Sequence, residues 1–405
     1  MEKINFYLNN MTRQIQTKHL PKGWKEFKLQ EVLDYEQPTE YIVNSEIIDE
    51  ETPTPVLTAN KGFVKGYTKE KTGIRKELPV IIFDDFTTDS KFVTFPFKVK
   101  SSAMKILKLK DKNALLKYIF YQMQTIHVRA TTHKRYYLSE YQNLPFLFPI
   151  DLNQEISLDK QSLIVSAIEQ HFTRLDEAVK SLKSVKAKLE VYRKAILKEA
   201  FKKSGDIPIK TCCEEIKQII PQKENFNEFY YIDIASINNK RKIIESPKLI
   251  LSKHAPSRAR QETISGDVLY STVRTYLRNI AAVPELNGKI ISSTGFVVLR
   301  PKKDFNNKWV FYLLNTEKLN NDLSSKQVGT SYPAIRKSEL LNYKVSVPSI
   351  QEQNQIVQEI ESKFSVIDKT EQIVEASLEK AEKLRKSILK SAFEGKLVDM
   401  EGEIR

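Results

Sequence analysis

Between Gln161 and Phe201, and again between Gln353 and Phe393, apolar positions recur every three or four residues with no proline or glycine among them. That is the period of a long α-helix, not of a strand. In the first run Ala178, Leu182, Val185, Leu189, Tyr192 and Ile196 step alternately by four and three, which predicts the a/d seam of a coiled coil. The matching positions of the second run are Thr370, Val374, Ser377, Ala381, Leu384 and Ile388, a weaker seam of smaller residues. The two runs are copies, since an ungapped offset of 192 aligns 44 positions with 16 identities. A repeat near half the chain length implies one architectural unit used twice. A helix of about 40 residues spans roughly 60 Å, more than a compact domain needs, so the seam and the repeat favour a paired coiled coil over two ordinary surface helices.

Before each helix the pattern changes to short β-rich runs separated by turn residues. Leu78–Phe83, Phe92–Phe95 and Met104–Leu109 are the candidate strands of the first half, Asp267–Tyr270 and Gly295–Leu299 those of the second. Shorter helices are expected at Ala114–Gln124 and Trp309–Leu319. The halves share little in the middle but end alike: at an offset of 199, Ser139-Glu140 faces Ser338-Glu339 and Pro149 faces Pro348. The expected fold is α+β, with two mixed domains joined by two long antiparallel coiled-coil helices in a pseudo-twofold repeat. Its boundaries are an N-terminal tail 1–19, a first domain 20–155, a helix 156–204, a second domain 205–350, a helix 351–398 and a C-terminal tail 399–405.

Length supports that division, because 405 residues exceed one ordinary core. No run approaches the roughly 18 apolar residues of a membrane span, and the first residues lack the apolar stretch of a secretory signal. A cytoplasmic location is expected. Cys212 and Cys213 are adjacent and form no framework of bridges, and only His127 and His133 of the five histidines lie close together. The formal charge is +14, of which residues 205–352 contribute +7, whereas residues 353–397 balance eight basic against eight acidic side chains. Such a chain attracts a polyanion.

Catalytic signatures are missing. There is no Gly-x-x-x-x-Gly-Lys-Ser/Thr string for phosphates. Asn143-Leu144-Pro145-Phe146 lacks the first proline of a methyltransferase's Asn-Pro-Pro-Tyr/Phe element and has no glycine loop upstream. Asp84-Asp85 with Asp89-Ser90-Lys91 carries the residue types of a Mg²⁺ nuclease site, but also those of a turn. Three functional classes stay open: a DNA-reading subunit, a coiled-coil DNA-binding scaffold and a DNA-cleaving enzyme.

Four separated strings choose among them. Gly266-Asp267-Val268-Leu269-Tyr270-Ser271-Thr272-Val273-Arg274-Thr275-Tyr276-Leu277, Ser293-Thr294-Gly295-Phe296-Val297-Val298-Leu299-Arg300-Pro301, Gly329-Thr330-Ser331-Tyr332-Pro333-Ala334-Ile335 and Val347-Pro348-Ser349-Ile350-Gln351-Glu352-Gln353 together resemble a target-recognition domain and adjoining helix of a type I restriction-modification specificity subunit. The first half is similar from Leu20 onward but departs at Ala130-Thr131-Thr132-His133-Lys134-Arg135.

The resemblance implies a non-catalytic subunit of a DNA adenine methyltransferase and restriction complex, reading two separated half-sites of double-stranded DNA. It implies two methyltransferase subunits as partners, with two restriction subunits possible in addition. S-adenosylmethionine, and ATP with Mg²⁺, would belong to those partners, and this chain would bind no cofactor or metal. The implied DNA contacts are Lys61, Lys65, Arg75, Thr131, Thr132, His133, Lys134 and Arg135 in the first domain. In the second they are Arg258, Arg260, Arg274, Arg278, Lys326, Thr330, Ser331 and Tyr332. Partner subunits are expected on helix faces marked by Leu175, Val179, Ile196 and Phe201 and by Ile367, Glu371, Ile388 and Phe393.

Overall fold

The computed structural model describes residues 20–48, 54–60, 62–126 and 135–398. Helix and strand are mixed throughout. The described residues include five α-helices of eight residues or more: α1 (Leu116–Met123), α2 (Leu158–Ala200), α3 (Asn307–Leu314), α4 (Glu317–Ser324) and α5 (Ile350–Phe393). The expected helix at Trp309–Leu319 is thus two helices. Asn315 ends α3, and the Thr316 hydroxyl donates to the Leu313 carbonyl at 2.8 Å in the break between them.

The chain forms two units, one of residues 1–181 with 377–405, the other of residues 182–376. Each long helix therefore gives one part to each unit. In unit 1 an antiparallel four-stranded sheet runs in the order Leu33–Glu36, Met104–Leu109, Val80–Asp84, Ser90–Val93, beside a three-stranded sheet built on Thr54–Leu57. In unit 2 a four-stranded sheet runs Lys248–Leu251, Glu228–Ile232, Ile290–Ser293, Ala259–Thr263, and Val268–Ser271 pairs with both Ile280–Ala282 and Phe296–Leu299.

Ser349 starts α5 through a reciprocal cap: its hydroxyl donates to Glu352 at 2.9 Å and accepts from the Glu352 amide at 3.3 Å. At the other end Gly395 adopts φ +68°, a left-handed turn that a side chain would resist.

The buried face of α2 corrects the predicted seam. Its less exposed positions are Ile168, Phe172, Leu175, Val179, Leu182, Lys186, Leu189, Arg193, Ile196 and Ala200, whereas Ala178, Val185 and Tyr192 are exposed. In α5 the face is Ile360, Phe364, Ile367, Glu371, Val374, Leu378, Ala381, Arg385, Ile388 and Ala392, each 192 residues on from its α2 counterpart. Half of the predicted positions were therefore one residue off, because hydrophobicity favours Val185 and Tyr192 over Lys186 and Arg193. Acidic and aromatic neighbours reverse that preference. In unit 2 the Arg193 guanidinium bonds Asp368, meets Glu371 at 3.0 Å and lies 4.9 Å from the centre of the Phe364 ring. Lys186 meets Glu375 at 2.8 Å, so within this unit the two helix segments run in opposite directions.

Unit 1 repeats this set with the helices exchanged. Arg385 bonds Asp176 and lies 4.1 Å from the centre of the Phe172 ring. Tyr121 packs edge-on against Phe172 as Tyr312 does against Phe364, both at 5.7 Å. Lys117 meets Glu169 and Lys308 meets Glu361, both at 2.6 Å. The buried amide of Gln161 accepts from the Leu115 amide at 2.8 Å, and that of Gln353 from the Asn306 amide at 2.9 Å.

Candidate nucleic-acid interface

In unit 2 the strand Val268–Ser271 ends in a turn that two residues hold in the left-handed region, Arg274 at φ +49° and Arg278 at φ +51°. Non-glycine residues rarely adopt this conformation, which costs about 1–3 kcal/mol and collects at functional sites. Between them Thr275–Leu277 form one 3₁₀ turn. The chain leaving α4 returns beside it as a narrow loop. The Val328 and Ala334 amides each donate to the other's carbonyl at 3.0 Å, and Gly329 turns the tip at φ +103°. Thr330, Ser331 and Tyr332 occupy that tip, all exposed, with Tyr332 at 72%.

Arg274 joins turn to loop. Its amide donates to the Pro333 carbonyl at 2.7 Å, its Nη2 to the Ser331 carbonyl at 3.1 Å, and its guanidinium carbon lies 4.8 Å from the centre of the Tyr332 ring. Beneath, the Thr275 hydroxyl meets that of Ser324 at 2.9 Å and accepts from the Gln327 side chain.

Further cations flank the turn. Arg278 lies 3.6 Å from Glu317, and Lys326 2.9 Å from Glu339. Lys242, at φ +59°, donates to the Arg278 carbonyl at 2.6 Å. Burial and the neighbouring Arg278 charge push its ammonium down to about 8. Arg258 is exposed and Arg260 half-buried; the Arg258 carbonyl accepts from the Thr294 amide, and that of the adjacent Gly295 from the Thr272 amide, both at 2.9 Å. Lys242 and the exposed Tyr276 are absent from the expected contacts. The run Asn238-Asn239-Lys240-Arg241-Lys242 carried the missed signal, turn-forming residues leading into three cations.

The described residues of unit 1 bring fewer of the expected contacts together. Lys65 is exposed on the strand Val64–Thr68, and Arg135 is exposed just before the helical turn Tyr136–Ser139. Arg75 turns inward, only 4% exposed. Its Nη1 lies 3.1 Å from Glu36, its Nη2 3.2 Å from Glu77, and its guanidinium over the Tyr41 ring. The expectation that Arg75 meets DNA is therefore corrected: its charge is already matched inside the unit. Lys61, Thr131, Thr132, His133 and Lys134, with the His127–His133 pair, lie outside the described residues.

All eight residues marked on the helix faces take part in the chain's own packing. Leu175, Ile388 and Phe393 are buried in the main core of unit 1, with Val179 against it. Ile196 and Ile367 are buried in unit 2, Phe201 packs at 5.8 Å from Trp309, and Glu371 holds Arg193. The large apolar side chains that the helices leave exposed are Leu158, Leu163, Val185, Val191 and Tyr192 on α2 and Val366, Ile373 and Leu384 on α5.

The acidic cluster at Asp84-Asp85 serves a turn. Asp84 Oδ1 accepts from the amides of Phe86 and Thr87, both at 2.9 Å, while Asp85 accepts from the Tyr137 amide at 2.8 Å and lies 3.5 Å from buried Lys105. Cys212 and Cys213 are buried, their thiols pushed up to about 11 and about 12 by that burial. Among the described residues, no three His, Cys, Asp or Glu side chains group to hold a metal ion, and no helix is long and apolar enough to cross a membrane.

Residues 176–382 match the family described as the type I restriction modification DNA specificity domain. The chain is 30% identical over 374 residues to the type I restriction enzyme EcoR124I/EcoR124II specificity subunit of Escherichia coli, covering 89% of this chain and 90% of that one. It is 21% identical to the MjaVIII specificity subunit of Methanocaldococcus jannaschii, over 97% of each. Two solved structures share the fold. One, from work on complex assembly and conformational transition of the type I R-M system, gives a TM-score of 0.67 at 18% identity, covering 94% of this chain and all of that one. The other, the HsdS subunit from Thermoanaerobacter tengcongensis, gives 0.53 at 19% identity over 93% and 98%. The chain belongs to the family of type I restriction-modification specificity subunits.

Proposed function

We propose that this chain, as a member of that family, reads a bipartite DNA target, one unit to each half-site, for methyltransferase subunits that bring the chemistry. The observation that carries this reading is the exposed Thr330–Tyr332 tip braced by Arg274 on a strained turn with basic neighbours. Hydroxyls and cations so presented suit both phosphates and base edges. The paired helix segments support a layout in which two recognition domains are joined by long antiparallel coiled-coil helices, since both units use one set of contacts with α2 and α5 exchanged. Methyltransferase subunits would then meet the exposed apolar side chains Val191, Tyr192, Val366, Ile373 and Leu384. S-adenosylmethionine would be theirs, as would ATP and Mg²⁺ belong to any restriction subunits. Replacing Thr330, Ser331 and Tyr332 together by Ala, in the complex with its methyltransferase partner, tests this. Mapping of methylated sites should show relaxed recognition in one half-site only, with assembly intact. Unchanged recognition in both halves would remove the loop from the DNA.

A further inference from the structure

Among the described residues Arg274 faces no carboxylate, in contrast to Arg278 and Lys326 beside the recognition loop. Arg278 has Glu317 at 3.6 Å and Lys326 has Glu339 at 2.9 Å, whereas Arg274 makes no ion pair among the described residues. Its neighbours instead fix where it points. The amide is tied to Pro333, the backbone is left-handed, the guanidinium lies against the Tyr332 ring, and Nη2 uses one hydrogen on the Ser331 carbonyl. Nε is buried with no partner among the described residues, so the edge formed by Nε and Nη2 is closed to any ligand. Nη1 carries no hydrogen bond among the described residues and is not enclosed, and Nη2 keeps its second hydrogen.

We propose that Arg274 is a specificity-determining residue that reads a guanine through the end-on pair Nη1 and Nη2, with Tyr332 as the platform that aims it. This rests on the loop being the DNA-facing element proposed above. An end-on guanidinium offers two parallel donors, and among the bases only guanine offers two acceptors, O6 and N7, side by side in the major groove. Adenine presents one acceptor and one donor there and is met by Asn or Gln instead. Phosphate also accepts two bonds, but the arms that neutralise phosphates gain from freedom to follow the backbone. Arg274 has given up that freedom at the cost of a left-handed φ and a sealed Nε. A side chain held by four separate restraints is built for one direction of approach. Tyr332 is accordingly a positioning residue, acting through the guanidinium it supports.

The test uses the complex with its methyltransferase partner. Methylation mapping defines the target, and binding is then measured to duplexes in which each guanine in turn carries 7-deazaguanine, which lacks the N7 acceptor. For the wild type, one such replacement in one half-site should weaken binding by about 5- to 150-fold. Arg274→Ala and Arg274→Lys should lose that sensitivity and accept other bases at that single position. Tyr332→Phe keeps the ring and should keep the discrimination, while Tyr332→Ala should reduce it, with thermal unfolding unchanged in all four variants. Two results overturn the proposal while leaving the loop on the DNA: a uniform loss across all sequences, with the salt slope falling by about one, which marks a phosphate contact, or a mapped target in which no guanine responds. No effect of Arg274→Ala, together with no effect of the triple Ala change at the tip, would sink the loop's role itself.

Discussion

Unit 1 and unit 2 share one set of contacts where α2 and α5 meet, yet they close the helix ends differently. In unit 1 the Tyr118 hydroxyl donates to the Leu147 carbonyl at 2.7 Å, Gln122 bonds the same residue's amide and carbonyl, and Trp24, Leu397 and Val398 are buried in the core alongside. In unit 2 Trp309 stands in the place of Tyr118 and its buried indole nitrogen has no hydrogen-bond partner among the described residues. Leu313 replaces Gln122, and Gly205 and Asp206 stand where the repeat puts Leu397 and Val398. A cavity of about 930 Å³ remains, lined by Phe201, Gly205, Trp309 and Leu313 among others. The difference teaches that the frame is specified by the helix-to-helix contacts, and that the packing behind them is free to vary once those are met.

The sharpest way to break the comparison is to remove one matched pair of core residues. Ile367 is 1% exposed in a small cluster of unit 2, and its counterpart Leu175 is 9% exposed in the largest cluster of unit 1. Ile367→Ala should cost about 2–5 kcal/mol, and Leu175→Ala should fall toward the lower end of the same range. Urea denaturation followed by near-UV signals would check it. Equal losses would mean that the units are energetically alike despite their different surroundings.

The helices and their offset were legible because a period of three and four over forty residues is a strong signal, and because α2 and α5 are recognisable copies. Their seam was half legible. Leu182, Leu189 and Ile196 were found, whereas Arg193 looks like a surface residue until Asp368 and Phe364 are seen beside it. The equivalence of α1 and α3 was hidden, since only Lys117 and Lys308, Phe120 and Phe311, and Tyr121 and Tyr312 repeat within dissimilar helices. At the interface, Thr330 to Tyr332 and Arg274 came from the family resemblance. The left-handed backbone at Arg274, Arg278 and Lys242 could not, because no composition rule assigns positive φ to arginine or lysine. Arg75 failed for the opposite reason: its charge reads as a ligand for phosphate, and only three-dimensional contact with Glu36 and Glu77 reveals it as internal.

A smaller difference should separate the paired arginines. Arg193 holds two carboxylates and is 26% exposed, while Arg385 holds one and is 39% exposed. Arg193→Ala should cost about 1–2 kcal/mol and Arg385→Ala less than about 1 kcal/mol, since exposed pairs are screened by solvent. The midpoint of urea unfolding would rank them, and the reverse order would show that aromatic stacking outweighs the ion pairs. Tyr118→Phe comes next. Deleting the hydroxyl removes one bond to Leu147 and should cost about 1 kcal/mol; the second unit has no such bond to lose at Trp309. A loss much smaller than this would mean that Gln122 alone satisfies the Leu147 carbonyl.

The smallest effect concerns how each unit treats a lysine drawn out of water. In unit 1 the buried Lys98 meets Glu70 at 2.7 Å, and this hydrogen bond holds the Glu70 carboxyl down at about 2. In unit 2 Lys242 meets a carbonyl and a second cation, and its own pKa falls to about 8 against 10.5 for the free side chain. The signs of two consequences differ. Between pH 8 and 10.5 the unfolded chain holds more protons at this residue than the folded one, so its contribution to stability rises with pH across that window. Over the same range the folded protein loses a positive charge beside the recognition turn, so DNA affinity should fall, by less than about 1 kcal/mol for one partly screened charge. Lys242→Arg keeps the charge and should flatten the affinity profile between pH 7 and 9 while leaving the Glu70-dependent acid behaviour of unit 1 untouched. Binding titrations at fixed ionic strength would read the difference. An identical decline in both proteins would assign the pH dependence to some other group, and an affinity that rises with pH would mean that the Lys242 charge opposes the DNA instead of drawing it in.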